Sequence, residues 1–594
     1  MSIEQRLQEE VSQAFNQLFD FKLKPEEVAI QPTRKEFEGS HTFVTFQYLK
    51  ITKKSPEQSG QAIGEYLRQH SDIVQDFNVV KGFLNLVIAD NVWLSSLNDL
   101  RKNENYGQLP ANGQKVMVEY SSPNTNKPLH LGHLRNNFIG YSVSEILKAN
   151  GYEVMKVQIV NDRGIHICKS MVAYEKFGDG ETPESSNTKG DHLIGKYYVK
   201  FDQEYKKEIQ ALVAAGKDSE TAEKTAPILL EAQDTLQKWE RRDQKTVDLW
   251  KKMNGWVYKG FDDTYHKMGV DFDKYYYESD TYLLGKDIVD QGLSSKVLYR
   301  NDDGSVWIDL EEDGLDKKLL LRSDGTSVYM TQDLGTADMR HQDYPFDKCI
   351  YVVGNEQDYH FKVLFLILKK LGKDFADGLH HLSYGMVDLP SGKMKSREGT
   401  VVDADELIAD MLETATAKTK ELGKIEGFTT KQATALYEVL GLGALKYFLL
   451  KVDPKKRMLF NPSESIEFQG NTGPFIQYTH ARIAAILRRA KELNVVEDFN
   501  AESISLQSPE RELIRLLSEY PLKVREAGEN YSPSVIAQYV YDLAKEYNRF
   551  YAELSIFGEE DQNIVSFRVA LSGAVTQVIK KGMTLLGIIV PERM

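Results

Sequence analysis

The chain is poor in cysteine and contains no long uninterrupted hydrophobic run. Its 594 residues include two cysteines, Cys168 and Cys349, and neither lies in a Cys-x-x-Cys or Cys/His spacing typical of zinc sites. The strongest apolar run, at residues 363–368, is far shorter than the roughly 18 residues that span a bilayer. These absences argue against a disulfide framework and a transmembrane protein, and they favour a reducing compartment.

An excess of basic charge is also missing. Lys and Arg total 74 against 88 for Asp and Glu, so the formal net charge is −14. This balance argues against non-specific binding to nucleic acid or anionic lipid, although it leaves room for a local basic groove. The first residues also lack the apolar core of a signal peptide. We therefore expect a soluble cytoplasmic protein that does not bind a membrane.

The chain does contain enough apolar material for several hydrophobic cores. Hydrophobic residues make up 41% of the sequence, which includes 31 Tyr and 26 Phe, and the length predicts roughly four structural units. Near the N-terminus, apolar residues at steps of three and four predict an amphipathic helix that starts at Ile3. Stretches rich in β-forming residues near 41–48 and 82–88 complete a predicted small α/β unit that ends near Leu100.

A different pattern begins after a polar linker at residues 101–114. Residues 116–118 predict a short strand, a loop rich in Ser, Pro and Asn follows, and a helix is predicted from about Leu131. A second strand is predicted at residues 153–160. This order is typical of the opening of a doubly wound parallel sheet, in which ligands bind at the carboxyl ends of the strands.

Downstream of this opening the chain is predicted to be mainly helical. Residues 178–252 are polar and rich in Lys and Glu, and we interpret them as a helical insertion packed on the sheet domain. A strand is predicted again near residues 348–353, and helices are predicted beyond Asp403 almost to the end. Arg163 and His166 follow the second strand, so we expect them to face the same crevice.

Two histidines stand where the first loop passes into its helix, in the sequence His130-Leu131-Gly132-His133. At this spacing both imidazoles can project from one side of the first turn, and the glycine allows a ligand to approach the backbone. The unpaired N–H groups of a helix N-terminus favour phosphate. By itself, however, the motif fits equally well a histidine pair that caps the helix or packs in the core.

The surrounding sequence makes a family resemblance specific. A polar loop at residues 119–128 precedes the histidines, and residues 393–400 read Lys-Met-Lys-Ser-Arg-Glu-Gly-Thr about 260 residues later. These motifs resemble the His-Ile-Gly-His and Lys-Met-Ser-Lys-Ser signatures of class I aminoacyl-tRNA synthetases, and residues 121–135 resemble the arginine-specific family. Further matches follow in the family's order along nearly the whole chain, at residues 81–85, 322–333, 357–361, 470–482 and 586–594.

The resemblance implies the fold and the domain organisation. The expected fold is a Rossmann-type α/β catalytic domain with a doubly wound parallel sheet, a small α/β N-terminal domain and an all-α anticodon-binding domain. We predict an additional tRNA-binding domain at residues 1–105 and the catalytic domain at 106–402, with its helical insertion near 178–275. A connecting region that contacts the tRNA stem is predicted at 403–470, and the anticodon-binding domain at 471–594.

The resemblance also implies an ATP-dependent arginine–tRNA ligase. ATP and arginine are expected to give arginyl-adenylate and pyrophosphate, after which the terminal ribose of tRNA takes the arginine on its 2′-hydroxyl. The implied partners are therefore arginine, ATP and the tRNA for arginine. Mg²⁺ is expected with ATP, whereas no structural metal is expected, and the protein is expected to be a monomer. A synthetase for another amino acid, or an inactive paralogue that binds tRNA or a protein, are the alternatives.

The resemblance implies that residues of the two signatures bind ATP. It places His130 and His133 at the phosphates and Gly132 beneath the adenosine, while Lys393 and Met394 lie on the loop that closes on pyrophosphate. A mobile lysine suits this step because its compact charge can follow the leaving anion. The alternative for the second signature is an ordinary solvated basic turn.

The second signature departs from the family pattern at its second lysine. Ser396 occupies that position, and Lys395 stands one place earlier. The chemistry still builds negative charge on phosphate oxygens, so we predict that another cation replaces the missing one. Lys127 is the candidate, because it lies three residues before His130 on the preceding loop. The alternative is a surface lysine that serves only solubility.

Recognition of arginine calls for carboxylates, because the planar donors of a guanidinium pair best with carboxylate oxygens. By resemblance, Glu119 and Asp333 are the candidates, with Tyr329, Asn124 and Gln357 as neutral contacts. The local sequence also indicates a cationic partner for Glu119, since this residue ends a predicted buried strand, where a charge needs a partner. Its alternative role is a structural salt bridge to an arginine of the protein itself.

The helical C-terminal region is expected to bind the tRNA anticodon. Tyr478, Tyr551 and Met594 are the predicted tRNA-binding residues, because unpaired bases are usually read by stacking on aromatic or flat apolar groups. Each tyrosine can instead belong to a helical core. The sequence contains no metal-ligand cluster and no second catalytic module.

Overall fold

The computed structural model describes residues 3–34, 36–388, 402–423 and 427–594. Its N-terminal part is a four-stranded antiparallel sheet in the order β1-β2-β4-β3, covered by helices. The elements are α1 Ile3–Phe19, β1 Ile30–Pro32, β2 His41–Val44, α2 Leu49–Thr52, α3 Pro56–His70, β3 Val74–Val80, β4 Phe83–Ile88 and α4 Asp90–Lys102. Fully buried Phe15, Phe43 and Trp93 lie in its core, which confirms the predicted α/β unit.

The central part is built on a five-stranded parallel sheet in the order β12-β11-β5-β6-β7. Its first elements are β5 Lys115–Glu119, α5 Leu131–Ala149, β6 Glu153–Val160 and α6 Ile165–Phe177. The strand order runs outward in both directions from β5, which is the arrangement of a doubly wound sheet. Within it, Met117 of β5 pairs with Cys349 of β11 on one side and Met155 of β6 on the other.

A group of helices separates β6 from the next strand of the sheet. These helices are α7 Pro183–Ser186, α8 Gly190–Ala214, α9 Ser219–Thr225, α10 Pro227–Glu240 and α11 Gln244–Met268. The chain then returns to the sheet as β7 Lys274–Tyr277, which pairs in parallel with β6. Sequence analysis did not predict this short, tyrosine-rich strand, whose place depends on a partner more than 100 residues earlier in the chain.

The second half of the sheet domain carries a small antiparallel sheet, β10-β9-β8, beside the main one. Its elements are α12 Glu278–Thr281, α13 Lys286–Ser294, β8 Tyr299–Arg300, β9 Val306–Ile308, β10 Lys318–Leu321 and α14 Tyr329–Asp343. The main sheet is then completed by β11 Lys348–Gly354, α15 Asp358–Lys370 and β12 Leu379–Tyr384, followed by β13 Val387–Asp388. Strand β13 pairs with the distant β14.

The C-terminal part is helical. Its elements are α16 Ala404–Glu421, α17 Thr430–Leu450, β14 Met458–Leu459, α18 Pro462–Ser465, α19 Gly473–Glu492, α20 Ser508–Glu529, α21 Pro533–Glu553 and α22 Gln562–Leu585. Helix α5 of the sheet domain packs against α17, α20, α21 and α22. By length and composition α17 is apolar enough to cross a membrane, and 67% of its most apolar window is buried inside the protein.

Candidate active site

An open cavity of about 930 Å³ lies at the carboxyl edge of the parallel sheet. The loops that follow β5, β6 and β7 supply its lining, and the start of α14 closes one side. Its polar lining residues include Asn124, Arg163, Glu278, Tyr329 and Asp333. The cavity therefore lies at the carboxyl ends of the strands, where a doubly wound sheet is expected to bind its ligand.

The two signature histidines cap the N-terminus of α5. Nδ1 of His130 accepts the N–H of Gly132 at 3.2 Å, and Nδ1 of His133 accepts the N–H of His130 at 3.1 Å. The ring centroids lie 3.9 Å apart. A Cβ added to Gly132 would lie 3.0 Å from the His130 ring, so the glycine lets that ring fold over the helix start. Because Nδ1 accepts in both rings, each neutral imidazole carries its proton on Nε2.

Both histidines are neutral near pH 7. Burial lowers the pKa of His130 to about 4, and the charge of Lys127 adds to the effect, while Asp403 opposes it. Burial and the neighbouring ring hold the pKa of His133 well below its usual value. The pair therefore offers two neutral N–H donors at a helix N-terminus, an arrangement suited to phosphate oxygens.

Lys127 lies on the loop between β5 and the histidine pair, and it is half-buried. Burial is the largest cause of the lowered pKa values of His130, His133 and His166, and the charge of Lys127 contributes to each of them. Burial also lowers the pKa of Lys127 itself. No carboxylate in the described parts of the chain pairs with it. A desolvated cation beside the histidines is well placed to meet an anionic ligand.

Glu119 differs from the expectation that it faces a substrate guanidinium. The last residue of β5, it is 5% exposed, and its carboxylate forms an ion pair with the buried guanidinium of Arg340 from α14. Ser122 donates its hydroxyl to the other oxygen at 3.3 Å. The Arg340 guanidinium also stacks over Tyr276 at 5.0 Å. The structure therefore shows for Glu119 the contact of the alternative interpretation, a salt bridge to an arginine of the protein itself, and its contact with a substrate guanidinium stays a prediction.

Two of the predicted arginine contacts lie one turn apart on α14. Tyr329 begins the helix and is 78% exposed, and Asp333 follows at the i+4 position on the same face. Oδ2 of Asp333 lies 2.7 Å from Nε2 of His360. Asn124 lines the same cavity, where its backbone bridges to Asn161. These three side chains can therefore reach one ligand.

Gln357 is not brought into the cavity. It ends a short 3₁₀ turn after β11, at Asn355–Gln357, where its side chain is exposed. It is absent from the cavity lining in the described structure. Its predicted contact with arginine therefore has no support from this arrangement of the loops.

Sequence analysis missed Glu278, the first residue of α12. Burial raises its pKa to about 7, with Asp162 and Asp333 adding to the rise and Arg163 opposing it. The next residue, Ser279, donates its N–H and its hydroxyl to Asp162, each at 2.8 Å, which fixes the start of α12 at the cavity wall. The feature that indicates Glu278 as a site residue is its position directly after β7, at the carboxyl edge of the sheet.

Arg163, expected to face the crevice, lies in an aromatic setting on the cavity wall. Its guanidinium stacks over Tyr282 at 4.1 Å and Trp239 at 5.6 Å, and it pairs with Glu240 at 3.0 Å. Because Trp239 and Glu240 belong to α10, these contacts attach the helical insertion to the end of β6.

The second signature lies outside the described residues, and with it the predicted ATP-binding residues Lys393 and Met394. The chain is described again from Val402, whose carbonyl accepts the N–H of Leu131 at 2.9 Å. The following residue, Asp403, caps the start of α16. The segment after the second signature is therefore hydrogen-bonded to the turn that carries the histidine pair.

Three stretches of the chain match known families. Residues 96–461 match the family described as tRNA synthetases class I (R), catalytic domain. Residues 476–594 match the DALR anticodon binding domain, and residues 5–88 match the arginyl tRNA synthetase N terminal domain. The chain is 58% identical to the arginine–tRNA ligase of Amoebophilus asiaticus and 55% identical to that of Bacteroides fragilis, each over 100% of both chains.

The chain belongs to the arginyl-tRNA synthetase family. A solved structure of the Thermus thermophilus arginyl-tRNA synthetase has the same fold, with a TM-score of 0.80 at 24% identity over 100% of both chains. The predicted fold class is thus confirmed. As a member of this family the chain is an ATP-dependent ligase that joins arginine to its tRNA.

In this arginyl-tRNA synthetase the C-terminal aromatic residues group around one arginine. The Arg482 guanidinium of α19 lies 4.8 Å from the ring of Tyr478 and 5.2 Å from that of Tyr551, whose side chain is 45% exposed. Met594 is partly buried against the core. The structure therefore brings the two predicted tyrosines together, with a cation between them.

Proposed function

We propose that the cavity at the carboxyl edge of the sheet is where this synthetase forms arginyl-adenylate. Support comes from two features: a neutral histidine pair that caps the N-terminus of the helix after β5, and a cavity at the carboxyl edge of the same sheet that holds the half-buried carboxyl group of Glu278. The histidines can bind an anion and the carboxylates a cation. ATP and arginine carry these two charges.

On the ATP side, His130 and His133 are proposed to donate from Nε2 to phosphate oxygens, with Gly132 keeping the helix start open. In the reaction the arginine carboxylate attacks the α-phosphorus, and negative charge builds on the phosphate oxygens as pyrophosphate leaves. Fixed donors stabilise that charge without reorganising. Lys127 is proposed to add the cation that Ser396 cannot supply, and Lys393 and Met394 keep their proposed roles at the pyrophosphate.

On the arginine side, Asp333 and Glu278 are proposed to hold the guanidinium. The charge of Asp333 contributes to the raised pKa of Glu278. A guanidinium between them relieves this repulsion and forms charge-assisted hydrogen bonds with both carboxylates. Tyr329 and Asn124 are proposed as neutral contacts, and the role first predicted for Glu119 passes to Glu278.

On the tRNA side, Tyr478, Tyr551 and Met594 are proposed to stack on anticodon bases, with Arg482 near a phosphate. The proposed domain limits are 1–105 for the additional tRNA-binding domain, 106–402 for the catalytic domain, 403–470 for the connecting region and 471–594 for the anticodon-binding domain. The insertion is proposed near residues 178–275.

Mg²⁺ is proposed to arrive with ATP and not at a separate structural site. Among the described residues, Asp191, His192 and Asp405 form a cluster with metal-ligand spacing. Lys189 lies 3.0 Å from Asp191 and 2.6 Å from Asp405, so an ammonium already neutralises the carboxylates there. We further propose that the enzyme works as a monomer in the cytoplasm without binding a membrane.

The decisive experiment is charging of total tRNA with each amino acid in turn by the purified enzyme. Arginine alone is expected to be attached. Attachment of a different amino acid would favour the related-synthetase alternative, and no attachment at all would favour the inactive paralogue. A His133→Asn enzyme tested alongside should lose adenylate formation, because asparagine can still accept the N–H of His130 but is too short to place a donor where Nε2 of His133 stands.

A further inference from the structure

Lys446 is a buried lysine at a junction between the sheet domain and the C-terminal helices. It lies on α17 and is 3% exposed. Its Nζ donates to the carbonyl of Gly587 at 2.6 Å and stacks over Phe138 and Tyr141 of α5, at 5.5 and 6.0 Å from their ring centroids. No carboxylate in the described chain forms an ion pair with it. A buried ammonium of this kind depends on its carbonyl and ring partners staying in place.

The groups that contact Lys446 belong to two parts of the chain, the helix α5 and the residues that follow α22. Phe138 and Tyr141 lie on the helix that begins at the histidine pair, five and eight residues beyond His133. Gly587 follows the C-terminal end of α22. A direct hydrogen bond joins α5 to α22, since Ser142 donates its hydroxyl to the carbonyl of Leu585 at 2.8 Å. The end of α22 is therefore attached directly to the signature helix.

The chain beyond Gly587 continues this connection to α19. Gln477 donates its amide to the carbonyl of Ile589 at 2.8 Å, and Nδ1 of His480 lies 3.0 Å from the carbonyl of Pro591. Tyr478 stands between these two residues on the same helix. Continuous contacts therefore run from the proposed anticodon site, along the last residues of the chain, to the helix that carries the histidines.

We propose that Lys446 is a positioning residue that couples tRNA binding at the C-terminal helices to the orientation of α5. The proposal rests on the proposed roles of the histidine pair at ATP and of Tyr478 at the anticodon. If the end of α22 moved relative to α5, the buried ammonium would lose its carbonyl or its rings. Such a displaced arrangement is disfavoured, so a tRNA that fixes α22 and α19 also fixes α5.

The test is Lys446→Met, which keeps an unbranched side chain of similar length but removes the donor and the charge. Arginine-dependent pyrophosphate exchange is measured with a native tRNA transcript and with one carrying a substituted anticodon base. We expect kcat with the native transcript to fall on the order of tenfold and towards the value for the substituted one. The KM for native tRNA should stay within about twofold. A merely structural role would lower thermal stability and leave the ratio of the two kcat values unchanged.

Lys451→Met is the matched control. Lys451 follows the end of α17, donates to the carbonyl of Asn471 at 2.9 Å and stacks on Phe448 at 4.4 Å, and within the described residues it has no hydrogen bond or ring contact with α5. The kcat ratio of this variant should match wild type. Should Lys446→Met fail to fold, Ser142→Ala decides, since it removes the other α5–α22 bond and should shift the ratio in the same direction.

Three results would overturn the coupling. The first is a wild-type ratio of the two kcat values in Lys446→Met, or in Ser142→Ala if Lys446→Met does not fold. The second is an equal loss of kcat with both transcripts, and the third is the same change of the ratio in Lys451→Met. The His133→Asn enzyme separates this failure from failure of the ATP site. If His133→Asn is impaired while Lys446→Met behaves as wild type, the coupling alone is wrong. If His133→Asn activates arginine normally, the proposed ATP site is wrong.

Discussion

The carboxylate of Glu119 and the guanidinium of Arg340 form a buried ion pair that joins the end of β5 to α14. Their side chains are 6% and 3% exposed. The same helix carries Tyr329 and Asp333 into the cavity. This pair therefore holds the helix that carries the proposed arginine-binding face against the end of β5.

Glu119→Gln should act mainly on stability. Removing one partner of a buried ion pair leaves the other charge uncompensated, at a cost of about 3–5 kcal/mol in the free energy of unfolding. Denaturant titration measures this loss, and the double variant Glu119→Gln/Arg340→Met should recover part of it. A large rise in the arginine KM with an unchanged unfolding midpoint would instead indicate that Glu119 binds arginine.

Asp333→Asn should weaken arginine binding. Replacing a carboxylate that faces a guanidinium with an amide removes a charge-assisted pair worth roughly 2–4 kcal/mol, or about 30-fold or more in kcat/KM. Asp338→Asn is the control, because Asp338 lies on the same helix and pairs with Lys373 at 2.6 Å instead. Steady-state kinetics that show equal effects for both variants would refute the assignment.

The arginine KM should fall as pH rises through about 7. Burial raises the pKa of Glu278 to about 7, so the carboxyl group is largely neutral at pH 6 and cannot pair with a guanidinium. Above pH 7 it is ionised, and KM should be about tenfold lower at pH 8 than at pH 6. Glu278→Gln should raise KM and flatten this profile. A pH-dependent profile that persists in the variant would assign the titration to another group.

Lys127→Ala should slow the chemical step. Removing a cation that acts on transition-state phosphates lowers kcat on the order of 10²-fold and changes the arginine KM little. Adding Ser396→Lys should restore part of the rate, since a charge returns to the phosphates. Lys148→Ala is a suitable control, because Lys148 pairs with Glu145 on the surface of α5. Wild-type activation by Lys127→Ala would remove Lys127 from the mechanism.

Pyrophosphate exchange should require tRNA. Enzyme freed of RNA by nuclease is expected to show only background exchange, and an added tRNA transcript should restore it. The physical reason is that tRNA binds the active conformation preferentially and raises its population. Arginine-dependent exchange at full rate without RNA would contradict this expectation.

The sequence predicted the elements whose signals are local. The apolar residues 116–118, the polar loop and the His130 turn predicted β5 and α5, and the structure has them at Lys115–Glu119 and Leu131–Ala149. Short-range periodicity and a helix-capping pattern suffice for such elements. Strand β7 was missed because four tyrosine-rich residues become a strand only through pairing with β6.

The site was predictable where a motif fixed it and unpredictable where distant pairing did. Asn124, Tyr329 and Asp333 were predicted from family motifs and line the cavity, and the histidine pair, predicted in the same way, lies at the start of α5. The partner of Glu119 is 221 positions away in the sequence, at Arg340. No local pattern identifies such a partner, since it is set by how α14 packs on the sheet.

At the start of α5, helix capping and the proposed phosphate contact use opposite edges of the same two rings. Serine or threonine would cap this helix at least as well as histidine, but neither offers a proton donor where Nε2 stands. Selection for thermal stability alone would therefore accept, or even favour, replacements of these histidines that abolish activity while the protein stays folded. A lineage released from the need to charge tRNA would be expected to lose these histidines early and keep its helix.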